Sequence, residues 1–239
     1  MVDVHTLSRN HAGKRCFFLG TGPSLNCLDL SLLSAEIVWA ANRAYLLFDR
    51  VSWRPSFYVI KDPRIVENSS DMIDLLMRRL PNTIFFFPDY IQDGRIASAP
   101  NACQYRELER TDNEYATFSF DVGQGVVRSH TVATVVLQLA VWMGFNPIIL
   151  IGCDMSYQAE ALRGQAEFSV TDGTDVDHFD SRYLDGGSWE VPDVEGMLSD
   201  LAMARQACDA HGVTILNATA GGNLEIFPRL SYTEFFRKR

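Results

Sequence analysis

Three clusters in this sequence carry residue types suited to holding and moving a phosphate. The first is Gly20-Thr21-Gly22-Pro23-Ser24, directly after the apolar run at residues 16–19. Gly20 ends that run, and Gly22 lets backbone approach a ligand with no Cβ in the way. Pro23 lacks an amide but pre-sets the angle of a turn or first helical residue. Ser24 is placed to cap the helix or to donate its hydroxyl to a phosphate oxygen. A tight strand-to-helix turn with no ligand fits the same residues. A dinucleotide fingerprint would carry a third small residue where this chain has Leu25, so the corner favours a mononucleotide over NAD. The second cluster is Ser129-His130-Thr131 at a helix start, with Gly152-Cys153-Asp154 closing the strand that follows. A helix start offers unpaired amides and a positive dipole end to an anion, and it also fits ordinary capping by Ser129 or Thr131. Asp154 falls beyond a strand's carboxyl end, where ligands of parallel sheets gather, although capping of a turn explains it too. The third cluster, "TDVDHFDSRY", sets His178 among Asp175, Asp177 and Asp180. Carboxylates beside an imidazole favour its charged form, which suits a general acid or base. His178 and Asp154 could also share a divalent ion, and a solvated acidic loop is the plain alternative.

These clusters need a frame to bring them together. Short apolar runs at residues 16–19, 37–40, 57–60, 83–87, 147–151 and 213–216 read as strands, several apolar at every position as in a sheet covered on both faces. Helical spacing lies at 71–80, 131–143 and 194–211, the last two stopping at Gly144 and Gly212. The alternation predicts an α/β fold: a Rossmann-like, doubly wound, mostly parallel sheet with helices on both faces, in one domain over residues 1–239. Asn42, Lys61-Asp62-Pro63 and Asn217-Ala-Thr219 then fall at strand ends on the ligand edge, although turn formation accounts for them as well. Residues 88–118 read as an excursion beside the sheet. Residues 156–193, rich in Gly and Asp, read as a lid-like loop.

Composition narrows the partners. A chain that is 47% hydrophobic and 21% charged can bury a substantial core. Its net charge of -9 argues against a nucleic-acid partner, because that affinity comes from basic side chains displacing counterions. A single nucleotide is still permitted, since local dipoles outweigh a distant charge screened over about 8–10 Å. The 5 scattered cysteines form no Cys-x-x-Cys pair and suit a reducing cytoplasm. No signal peptide and no membrane-spanning apolar stretch are read, so the expected location is cytoplasmic. The terminal "YTEFFRKR" reads as a solvated chain end or as a peripheral contact with an anionic inner-membrane surface. Homo-oligomerisation is left open.

Taken in order, "FLGTGPSL", "ANRAY", "IKDP", "MGFNPIILIGCDMSY", "DHFDSRY" and "GVTILNATAGGNLEIFPR" resemble the 6-hydroxymethylpterin pyrophosphokinase MptE-like family. The likeness runs from about residue 14 to residue 235. The same domain occurs in motility-associated factor proteins linked to flagellin glycosylation. Its layout is similar to that of the bacterial sialyltransferases of glycosyltransferase family 42, which use a CMP-activated sugar. By position, the resemblance implies that the Gly20–Ser24 corner and Asn42 surround a CMP moiety. Asp62 stands where the sialyltransferases have an asparagine before proline, and residues 129–131 match their phosphate-side segment. Tyr157 lies one residue beyond their phosphate-contacting tyrosine, after the shared Gly152-x-Asp154. His178 matches the first of two loop histidines, and Arg182 stands at the second, the presumed base.

The resemblance implies a nucleotide-dependent transferase with a CMP-type sugar donor, working on surface glycan or flagellin. His178 or Asp154 would take the acceptor's proton, Tyr157 would donate to the leaving phosphate, and Gly152 and Asn217 would help frame the nucleotide. The pterin-kinase members imply instead diphosphate transfer from ATP to a pterin-like acceptor, with Mg²⁺ at Asp62 and Asp154. A non-catalytic nucleotide-binding module is the third reading.

Overall fold

The protein is described by a computed structural model that covers residues 1–110, 117–158 and 165–237. In chain order the strands are β1 (Cys16–Leu19), β2 (Val38–Ala41), β3 (Phe57–Val59), β4 (Ile84–Pro88), β5 (Ala102–Tyr105), β6 (Glu107–Leu108), β7 (Val126–Val127), β8 (Ile148–Ile151), β9 (Glu167–Phe168), β10 (Trp189–Glu190) and β11 (Ile215–Asn217). The helices are α1 (Pro63–Arg79), α2 (Gly94–Ser98), α3 (Val132–Trp142), α4 (Val194–Ala210) and α5 (Tyr232–Arg237). Seven strands form one parallel sheet in the order β11-β8-β1-β2-β3-β4-β5. The chain moves outward from β1 to β5, then returns to place β8 on the other side of β1. That reversal is a topological switch point, and the two neighbouring strands there carry the Gly20 and Gly152 corners. The fold is Rossmann-like.

Alternation along each strand divides the core in two. In β1, Cys16 and Phe18 face one layer while Phe17 and Leu19 face the other. The first layer is closed by Val135, Val136 and Leu139 of α3 and by Leu201, Ala204 and Cys208 of α4. The second is closed by Ile65, Ile73, Leu76 and Met77 of α1. Burial on both sides is why the strands are apolar at successive positions rather than alternating. Both α3 and α4 end in the same way. Gly144 (φ +87°) and Gly212 (φ +70°) adopt left-handed backbone, and the amides of Phe145 and Val213 reach back to Ala140 O and Cys208 O.

Three stretches differ from the sequence expectation. Of residues 88–118, read as an excursion, residues 111–116 lie outside the described residues. Within the rest, β5 pairs with β4 and forms the sheet's edge, with Phe85 opposite Ala102 and Pro88 opposite Tyr105, while β6 pairs with β7 apart from that sheet. Helix α1 begins at Pro63 rather than near residue 71, capped by Asp62, and it kinks at Ser69 (φ -137°, ψ 20°). The second half of α1, past that kink, is the part whose periodicity is visible in sequence. Finally, the C-terminal segment, read as a solvated end, packs its aromatic residues against the core as α5, and residues 238–239 lie outside the described residues. Phe236 stacks on Phe17 with centroids 5.6 Å apart, Phe235 meets the same ring edge-on at 5.8 Å, and Arg15 lies over Phe235. Tyr232 donates to Asp29 O at 3.0 Å. Among the described residues no helix is long and apolar enough to cross a membrane.

Because these rings close the second core layer, Phe236→Ala is expected to lower folding stability by about 1–2 kcal/mol in a urea titration, the scale of a half-buried phenylalanine. An unchanged midpoint would mean that the C-terminal helix is peripheral to the core.

Candidate functional site

A cavity of about 200 Å³ opens at the switch point. The corner after β1 contributes Gly20, Thr21 and Gly22; the corner after β8 contributes Gly152, Cys153, Asp154 and Tyr157. Asn42 after β2, Lys61 and Asp62 after β3, and His130 and Thr131 at the head of α3 complete the sheet-derived wall. Asp177, His178 and Tyr183 close it from the 165–193 segment. The two anion-type corners, near residues 22 and 130, therefore face one space. Pro23, Ser24, Ser129 and Asn217 stand outside its lining.

Asp154 holds the first two corners together. Its Oδ2 accepts from Ser24 Oγ at 2.7 Å and its Oδ1 from the Ser24 amide at 3.2 Å. Gly22 N donates to Gly152 O at 2.9 Å, and Gly20 N to Ile151 O at 2.8 Å. The glycines exist for this approach. A Cβ on Gly22 would lie 1.9 Å from Asp154 Oδ2, and one on Gly20 would lie 2.3 Å from Gly152 O. Gly152 (φ +66°) faces Leu25, with its ideal Cβ 2.6 Å away. Gly22, read from sequence as making room for a ligand, lines the cavity and also makes room for the Asp154 side chain. Burial raises the Asp154 pKa, opposed by the two Ser24 hydrogen bonds. Asn217 is likewise spent internally, donating to Leu224 O and accepting from the Thr219 amide.

The head of α3 already has an anion. Asp200 of α4, buried at 4% exposure, accepts from the His130 amide at 2.6 Å and contacts His130 Nδ1 at 3.0 Å. Arg110 binds its other oxygen at 2.6 Å. Thr131 caps the helix through the Ala133 amide at 3.2 Å, and Ser129 Oγ donates to Thr131 O. The dipole end that the sequence offered to a phosphate is thus partly answered by a neighbouring helix.

His178 is oriented from two sides. Its Nδ1 lies 2.7 Å from Asp175 Oδ2, and its ring stacks on Tyr183 with centroids 3.8 Å apart and planes 6° from parallel. An imidazole anchored through Nδ1 keeps Nε2 for other partners, the arrangement of a general base with its orienting carboxylate. Tyr183 is 3% exposed; burial lifts its phenol to about 12, eased by hydrogen bonds from Thr21 and Asn42. Burial also lifts the Cys153 thiol to about 12, so Cys153 is a neutral wall at neutral pH. The Tyr157 phenol is raised as well, chiefly by burial. Asn42 (φ +53°) gives its carbonyl to Tyr58 OH at 2.7 Å, and its buried Oδ1 has no hydrogen-bond partner among the described residues.

The 165–193 segment is more than an open loop. β9 and β10 pair antiparallel, Phe179, Tyr183, Leu184 and Trp189 are buried, and Arg64 of α1 pairs with Glu167 and Glu190. The Phe179 amide donates to Thr21 O at 2.9 Å, which joins the segment to the Gly20–Ser24 corner. Of the lid proposed from sequence, residues 159–164 lie outside the described residues. Arg182, at the position of the second loop histidine, forms an exposed two-pronged pair with Asp180 and does not line the cavity.

Sequence reasoning left Lys61 and Tyr183 without a role in the site. The signal was available for Lys61, the residue directly after a strand on the ligand edge. Nothing local marks Tyr183. The residues do not fit a protein-held Mg²⁺: Asp62 caps α1 through the Arg64 amide at 2.9 Å, and Asp154 is engaged by Ser24. Among the described residues no group of three or more His, Cys, Asp or Glu side chains is arranged to hold a metal ion.

A family model described as 6-hydroxymethylpterin diphosphokinase MptE-like matches residues 2–160. The chain belongs to this MptE-like family. The fold of this MptE-like chain is shared with the MAf glycosyltransferase from Magnetospirillum magneticum AMB-1, at TM-score 0.55 and 16% identity, covering 94% of this chain and 35% of that one. It is also shared with the sialyltransferase CstII from Campylobacter jejuni, solved in complex with cytidine-5'-monophosphate, at TM-score 0.51 and 15% identity, covering 92% and 86%. The MptE-like chain thus spans about a third of the MAf glycosyltransferase. No curated protein is detectably similar in sequence.

Two outcomes follow from this geometry. Gly22→Ala forces the β1 and β8 corners apart and is expected to cost about 1–3 kcal/mol in chemical denaturation, the range for overpacking a close contact. Asp62, whose carboxyl is raised by burial against the opposing Arg64 amide bond, predicts a pH effect. The native state holds this proton to higher pH than the unfolded chain, so its contribution is present below the ordinary carboxylate range and is lost as pH rises through the raised value. Asp62→Asn keeps a good cap but no longer titrates. Its stability relative to the parent should therefore rise from acid to neutral pH, and a pH-independent difference in urea titrations would contradict this.

Proposed function

We propose that this MptE-like chain is a nucleotide-dependent transferase that uses a CMP-type sugar donor, with surface glycan or flagellin as the acceptor class. One observation carries the reading: a switch-point cleft holding a single lysine or arginine among its described lining residues, with one candidate metal carboxylate, Asp62, capping α1 and the other, Asp154, bonded to Ser24. That balance suits a donor linked through one phosphate. A triphosphate would bring several charges and its magnesium, for which the cleft offers no matching set. The CMP-bound state of CstII supports the same choice.

In this reading Nε2 of His178, aligned by Asp175, accepts the proton of the attacking acceptor hydroxyl as it displaces the nucleotide. Tyr157 stays protonated at working pH and donates toward the leaving phosphate. Asn42 Oδ1 is a free acceptor for a base amine or ribose hydroxyl. Asp154 builds the cleft by accepting the Ser24 amide and hydroxyl, and His178 is the base this reading favours. The second reading, diphosphate transfer from ATP to a hydroxymethylpterin, is favoured by the family's description.

Thermal-shift titration of the full chain with CMP, CDP, ATP and GTP, each with and without Mg²⁺, separates the readings. CMP is expected to stabilise without metal, by about 2.7 kcal/mol at 100 times its dissociation constant. A response to ATP only with Mg²⁺, together with AMP release in the presence of the pterin, would establish the second reading. No response to any nucleotide would overturn both.

A further inference from the structure

Lys61 follows β3 and lines the cleft half-buried. Its Nζ donates to the carbonyl of Ser129, just before the head of α3. Unlike Arg15, Arg64, Arg95, Arg110, Arg182, Arg205 and Arg229, which are each ion-paired, Lys61 has no carboxylate oxygen within 4.0 Å among the described residues. Three acidic groups surround it from different elements, but each has another partner. Asp62 binds the Arg64 amide, Asp200 binds Arg110 and the His130 amide, and Glu107 of β6 pairs with Arg128 at 3.7 Å. A half-buried ammonium with one neutral hydrogen bond is under-compensated, because lost hydration is replaced only partly. Burial accordingly lowers the Lys61 pKa, while Glu107, Asp62 and Asp200 oppose that shift and Arg128 adds to it.

We propose that Lys61 is the anion-binding residue of the cleft, pairing its ammonium with the phosphate of the bound ligand beside the head of α3. This rests on the nucleotide reading above for the identity of that phosphate, but the charge argument is independent of it. On binding, Nζ exchanges or shares its Ser129 carbonyl contact for a phosphate oxygen, so the gain comes from completing an unpaired charge. The residue then distinguishes phosphorylated ligands from their neutral counterparts.

The test is calorimetric titration of the full chain, Lys61→Met and Lys61→Arg with CMP and with cytidine, its phosphate-free analogue. Lys61→Met is expected to weaken CMP by about ten- to a hundredfold, the range for losing a charged hydrogen bond, while cytidine changes less than about twofold. Lys61→Arg should retain most CMP affinity. Equal CMP binding by Lys61→Met and the parent, or parallel losses for CMP and cytidine, would overturn the proposal. Should Lys61→Met not fold, the parent decides it: CMP affinity should fall as pH rises through the depressed lysine pKa while cytidine affinity does not. If the parent binds no nucleotide, the transferase reading falls, and inorganic phosphate becomes the probe. A thermal shift by phosphate that Lys61→Met loses would uphold the anion site, and no shift in the parent would end it.

Discussion

One buried carboxylate organises the centre of this molecule. Asp154 leaves the end of β8 and receives both the amide and the hydroxyl of Ser24, which follows the end of β1. The strands are register-matched neighbours, Leu19 opposite Ile151, so the two chain exits emerge side by side. Only backbone fits between them, which accounts for glycine at 20, 22 and 152. The floor of the cleft is therefore built by the protein for itself. The amides of Gly20, Gly22 and Ser24 are committed to backbone and carboxylate partners, and that of Cys153 to the Thr219 hydroxyl, unlike a phosphate loop with a fan of free N–H groups.

The electrostatics of the cleft follow from that commitment. The chain carries a net charge of -9, yet the acidic groups at the site are occupied: Asp154 by Ser24, Asp62 by its helix, Asp200 by Arg110 and His130. Burial raises Asp62 and Asp154 and lowers Lys61, the direction expected where water is displaced from charged groups. An acidic net charge and the anion-binding cleft proposed above are compatible because the two act over different distances.

Aromatic packing fixes the parts of the chain whose composition looks solvated. Phe235 and Phe236 close over Phe17, and Phe179 and Tyr183 pin the acidic 165–193 segment to the strand ends. In each case a few large rings set among many charged residues decide the placement. Apolar area per ring outweighs the average polarity of the window in which it sits.

The sequence by itself determined the layered α/β fold, because strands covered on both faces must be apolar throughout and helices ending at Gly144 and Gly212 announce their own stops. It also placed the strand-end residues on one edge, since parallel strands point their carboxyl ends the same way. β5 was hidden because Ala102-Cys-Gln-Tyr105 is short and carries no period that sets it apart. Which polar groups face a ligand and which face one another was decided only by the tertiary structure. The pairings Ser24–Asp154, His130–Asp200 and Asn42–Tyr58 join residues separated by 130, 70 and 16 positions. No local pattern encodes such a meeting: it depends on strand order and register, which set the distance between side chains that the chain itself keeps far apart.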